Sequence, residues 1–91
     1  MNNKTRKELS KISDKYTSIA TMIEDLKTEL EYIQEEEQEK YDNLPEQLQD
    51  TERGNALYES AENIEELVNR IDDLATELYD IANDIESLTS N

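Results

Sequence analysis

Carboxylates are the abundant reactive side chains of this chain, and they arrive in pairs and runs. Twenty-four Asp and Glu residues stand against nine Lys and Arg, with no His and no Cys. Glu35, Glu36, Glu37 and Glu39 form the densest run. Glu65-Glu66, Asp72-Asp73, Asp80 and Glu86 recur about every seven residues, and Glu24-Asp25, Glu31, Glu35 and Glu39 repeat the pattern earlier in the chain. Paired acids do hydrolytic work only when two of them flank a pocket and burial raises the pKa of one. The spacing here predicts solvated acids on outer helical positions. Successive residues of a helix point in different directions, so the run at 35–39 could collect divalent cations weakly but would not cage calcium. Without His, the usual acid, base and zinc chemistries are missing. The single glycine, Gly54, leaves no phosphate-binding loop. We therefore expect no catalytic residue, no metal site and no cofactor.

The elements that must position these acids are two amphipathic helices. Leu9, Ile12, Tyr16, Ile19, Ile23, Leu26, Leu30 and Ile33 follow at steps of three and four residues. Leu57, Ile64, Leu67, Ile71, Leu74, Leu78, Ile81, Ile85 and Leu88 do nearly the same. Such runs predict helices that each bury one stripe against another helix. Thr5-Arg6-Lys7-Glu8 has the form of a capping box and sets the first start at residue 5. Asn43-Leu44-Pro45 ends that helix near Asp42, because the residue before a proline is pushed out of the α region. Asp50 or Thr51 should cap the second helix, which runs to about Leu88. The expectation is an all-α, single-domain antiparallel coiled-coil hairpin over 1–91, with helices at 5–42 and 51–88 and a connection at 43–50. One helical turn could start at Pro45. Each helix would be about 55 Å long.

Charge layout agrees with an antiparallel register. The first 20 residues carry Lys4, Arg6, Lys7, Lys11 and Lys15 against Glu8 and Asp14, and the remainder is strongly acidic. Folding back would set that basic start beside Asp80, Asp84 and Glu86, each exposed pair contributing little by itself.

Beside the Leu/Ile positions of the second helix runs a row of smaller residues, Ala61, Val68, Ala75 and Ala82. With Ile64, Ile71, Leu78 and Ile85 they make an apolar face about three residues in seven wide, broader than a two-helix seam. The expectation is self-association through these eight residues, most simply as a homodimer forming a four-helix bundle, with higher assembly the extension. A loose monomer that folds onto a larger partner is the other solution.

The net charge of −15 removes the commonest kind of direct nucleic-acid binding and disfavours anionic membranes. No apolar run approaches the length that spans a bilayer, and Met1 to Ser10 is polar, unlike a signal peptide. A cytoplasmic location is the default. Within the acidic field, Tyr32, Tyr58 and Tyr79 fall outside the core stripes. With Glu65, Glu66, Asp72, Asp73 and Asp80 they are the candidate partner-binding residues, since tyrosine anchors interfaces in polar surroundings. The plainer reading is a solvated exterior with tyrosines lying across its flank.

The segment Tyr41-Asp42-Asn43-Leu44-Pro45-Glu46-Gln47-Leu48-Gln49-Asp50-Thr51-Glu52-Arg53-Gly54, followed by an acidic Ile/Leu/Ala helix, resembles a group of small uncharacterised proteins of phages and mobile elements. They share an Asn-Leu-Pro-Glu-x-Leu-Gln turn followed by Ser/Thr-Glu-Arg-Gly, and the resemblance covers roughly residues 30 to 88. It implies an accessory phage protein, such as an inhibitor of a host defence or nucleic-acid enzyme, acting in the host cytoplasm. The Trp-x-Gly turn of the WXG secretion substrates is missing. Two functions stay open: an acidic, DNA-mimic-like protein directed at a host protein with a basic groove, and a structural coiled coil whose purpose is its oligomer. A sponge for anionic nucleotides built on the basic start is a third, against which the overall charge argues.

Overall fold

A computed structural model describes residues 1–90, and among them the structure is helical with no strand. Three helices follow one another: α1 (Asn3–Asp42), α2 (Glu46–Gln49) and α3 (Glu52–Thr89). The chain packs as two compact units. The first holds the start of α1, Met1–Asp25, with α3 from Ile71 onward; the second is Leu26–Arg70, which contains the connection.

α1 starts two residues earlier than the capping box predicts. The Asn2 side chain accepts the Thr5 amide at 2.8 Å, and the Asn2 carbonyl accepts the Arg6 amide at 3.1 Å. Asparagine caps at least as well as threonine, and using it adds helical residues, so Thr5 lies inside the helix. The other end falls at Asp42, where Pro45 requires it.

In the second unit the connection is built almost wholly from local bonds. Pro45 (φ −54°, ψ 144°) leads into α2, and the Leu48 amide returns to the Pro45 carbonyl at 2.8 Å. The Gln49 side-chain amide reaches the carbonyls of Tyr41 and Leu44, both at 3.4 Å, near the end of α1. Thr51 caps α3: its hydroxyl accepts the Gly54 amide at 3.3 Å and donates to the Leu48 carbonyl. Gly54 is buried, and a Cβ added there would stand 2.2 Å from the Gln49 carbonyl oxygen and 2.6 Å from that of Leu48. Glycine is therefore needed here for space.

The seam differs from the expectation that the two Leu/Ile stripes form the core. Besides Gly54, the buried residues among those described are Ser13, Ala20, Ala61, Val68, Ala75 and Ala82. In the first unit, Ser13 and Ala20 of α1 and Ala75 and Ala82 of α3 are all buried. The Ser13 hydroxyl donates to the Ala82 carbonyl across the pair at 2.8 Å, fixing an antiparallel register. In the second unit, Ala61 and Val68 are buried, while Lys27, Gln34 and Tyr41 continue the seven-residue row of Ser13 and Ala20 as half-buried positions. Small side chains let two helices approach to the short end of the usual 8–10 Å range, and larger neighbours are then displaced to the flanks. Ile12, Ile19, Leu26, Ile33, Leu67, Leu74 and Leu88 are accordingly exposed.

Ser13→Ala tests the cross-helix bond. Its loss costs about 1 kcal/mol, and the better helix preference of alanine returns up to about half of that. Urea denaturation should show a net loss below about 1 kcal/mol, since the Ala82 carbonyl keeps its helical partner. A loss of several kcal/mol would give this one bond more weight than its geometry supports.

Candidate functional site

The acids expected to bind a partner stand on the outer surface of α3. Of those singled out on α1, Asp25, Glu35, Glu36 and Glu39 are exposed, but Glu24, Glu31 and Glu37 are half-buried, contrary to the expectation of wholly solvated acids. In the second unit Glu65 and Glu66 are exposed, and with Glu62, Asn63 and Asn69 they line a shallow depression of about 350 Å³ that opens to solvent. In the first unit Asp72, Asp73 and Asp80 are exposed. For Glu66, Asp73 and Asp80 exposure follows from the seam: with Ala61, Val68, Ala75 and Ala82 turned inward, these acids lie on the far side of the helix from it. Among the described residues no group of three or more acids converges as a metal site would require, the run at 35–39 included. Within that run Glu37 pairs with Lys40 at 2.8 Å. The hydrogen bond from the ammonium, and then the carboxylate charge, raise the Lys40 pKa.

The three tyrosines divide. Tyr32 is 64% exposed, in the second unit. Tyr58 is partly occupied there: its ring lies 5.4 Å from that of Tyr41, tilted by 57°. The Glu62 carboxylate raises the Tyr58 pKa, first as hydrogen-bond acceptor and then as a nearby negative charge. Tyr79, in the first unit, is half-buried and held to α1. Its hydroxyl donates to the Glu24 carboxylate at 3.4 Å and lies 3.3 Å from the Thr21 hydroxyl. Tyr79 therefore contributes to closing the hairpin, a role that heptad position alone did not reveal.

The residues expected to drive self-association divide as well. Ala61, Val68, Ala75 and Ala82 are used up inside the chain's own seam, while Ile64, Ile71, Leu78 and Ile85 are half-buried beside it. The outward apolar surface of the first unit is instead a flank that sequence reasoning left as core. Tyr79 bridges to Thr21 and Glu24, so those positions mark one side of the seam on both helices. At about 100° per residue, Ile12 and Ile19 on α1 lie on the opposite side, as do Leu74, Ile81 and Leu88 on α3. One side of this unit is polar and bonded; the other is apolar and partly open.

Arg6, Lys7, Ser10, Lys11 and Thr89 line an open depression of about 390 Å³ at the basic start of α1. Among the described residues no helix is long and apolar enough to cross a membrane. Comparison with protein-family models, curated proteins and solved structures returns no match for this chain. The residues themselves are what a functional reading can use.

Proposed function

We propose that this chain is a non-enzymatic acidic interaction protein that works as a homodimeric four-helix bundle and docks its α3 carboxylates into the basic groove of another protein. The phage-like turn motif suggests the setting: a cytoplasmic inhibitor of a host defence or nucleic-acid-processing protein, imitating the charge of DNA and binding neither nucleic acid nor membrane itself. The observation that carries the reading is that Glu65, Glu66, Asp72, Asp73 and Asp80 are all exposed. Arg70 is the one basic residue between Gly54 and Asn91. Repulsion within such an array opposes folding, so its density favours a use beyond solubility. Tyr32 and the outer edge of Tyr58, both exposed in the second unit, supply aromatic surface; Tyr79 has less to offer, being bonded to α1.

A test is to use the chain as bait and identify a stoichiometric partner. Changing Glu65, Glu66, Asp72 and Asp73 together to Lys should abolish that binding while the hairpin keeps its helicity. Association of the wild type should be fast and fall steeply with salt, as charge steering requires. Full affinity in the reversed variant would sink the proposal. The second reading, a structural coiled coil whose role is its own oligomer, is favoured by the open row of Ile and Leu. Self-assembly with no captured partner would support it.

A further inference from the structure

We propose that the first unit docks onto the first unit of a second copy through its apolar flank, α1 of each chain lying on α3 of the other. The step rests on the homodimer in the reading above and adds the surface and the arrangement. Ile12 and Ile19 are 42% and 46% exposed, Leu74 and Leu88 50% and 48%. Leu9, Tyr16, Ile71, Leu78, Ile81 and Ile85 are half-buried next to them. Both helices thus present large apolar side chains at seven-residue spacing on the same side, which makes the flank self-complementary under a two-fold axis.

Charge supports a second copy as the occupant, because a unit with one slightly basic and one purely acidic segment is complementary to another of itself. Charge selects the arrangement. Residues 1–25 carry five basic and four acidic side chains, while residues from Ile71 onward carry six acidic and no basic ones. Packing α3 on α3 would bring two purely acidic segments together. Packing α1 on α3 joins the less acidic segment of one unit to the more acidic segment of the other, twice per dimer.

Sedimentation and cross-linking of the full chain test this. The wild type should sediment as a dimer at micromolar concentration. Ile19→Glu and Leu74→Glu, both at positions already open in the hairpin, should keep their helical circular dichroism. Each should raise the dimer Kd by at least ~100-fold, because the dimer would bury two unpaired carboxylates. The chain contains no cysteine, so Ile19→Cys and Leu74→Cys chains can be mixed and oxidised. The mixed disulfide should form faster than the Leu74→Cys homodisulfide. A wild-type monomer would overturn both the homodimer and this flank, whatever the result with the acidic face. A wild-type dimer that persists in both Glu variants would leave the homodimer standing and overturn the flank. Faster homodisulfide formation would overturn the α1-on-α3 arrangement.

Discussion

Ala75→Leu should lower the urea midpoint sharply and loosen the first unit, although alanine and leucine favour a helix almost equally. Ala75 is 1% exposed in a seam whose other members are Ser13, Ala20 and Ala82. Three extra heavy atoms there must separate the helices or leave their rotamer wells, at a cost of about 1–3 kcal/mol or more. Separation would also stretch the bond from Ser13 to the Ala82 carbonyl. Such a loss is large beside the marginal stability of a small domain. The contrast is with Leu74→Ala, one residue away on the open flank, which should cost much less at dilute protein concentration. The comparison needs fixed concentration, because association shifts apparent stability. Equal midpoints for Ala75→Leu and wild type would mean that alanine is not the closest contact.

The second large effect is expected at Gly54. Alanine in a helix is ordinarily better than glycine by about 1 kcal/mol. Here no positive φ is involved, and the added Cβ would meet the Gln49 carbonyl oxygen at 2.2 Å and the Gln49 carbonyl carbon at 2.7 Å. These are backbone atoms, so the end of α2 would have to move as a piece. An overpacking cost of about 1–3 kcal/mol should outweigh the propensity gain and reverse the usual sign. Amide exchange should quicken at Thr51 and Gly54, whose amides bond locally to Leu48 and Thr51. A stabilised Gly54→Ala variant would show that this approach is not tight in solution.

Both effects bear on what the sequence could tell. The helices were legible because heptads, Pro45 and Thr51 each act locally, and helix ends are set by local bonds. The seam was not, because hydrophobicity ranks Leu and Ile as core and offers no sign that smaller residues make the closest approach. On α1 the seam row reads Ser13, Ala20, Lys27, Gln34, Tyr41, which looks like surface. The available signal was phase: Gly54, Ala61, Val68, Ala75 and Ala82 are spaced by seven, and Gly54 opens the series. The acidic face was legible as exposed surface, but charge is non-directional and names no partner. The turn motif also has a physical content of its own. Gln49 reaches the Tyr41 and Leu44 carbonyls, Thr51 caps α3, and Gly54 leaves room for the backbone of α2, so the segment 41–54 does folding work in this chain.

A seam whose buried members are four alanines, a serine and one valine has a thermodynamic consequence. Fixing alanine or glycine costs no side-chain rotamer entropy, whereas immobilising a leucine or isoleucine costs about 0.5–1 kcal/mol. The closest contacts therefore form by ordering mainly backbone, and the open side chains of Ile12, Ile19, Leu74 and Leu88 lose less rotamer entropy than buried ones would. The same choice limits the apolar area removed from water at closure, so each chain alone gains little from the hydrophobic effect. Rotational freedom and wet apolar surface thus remain together on one side of the first unit, and whatever covers that side determines both the entropy lost and the solvation gained.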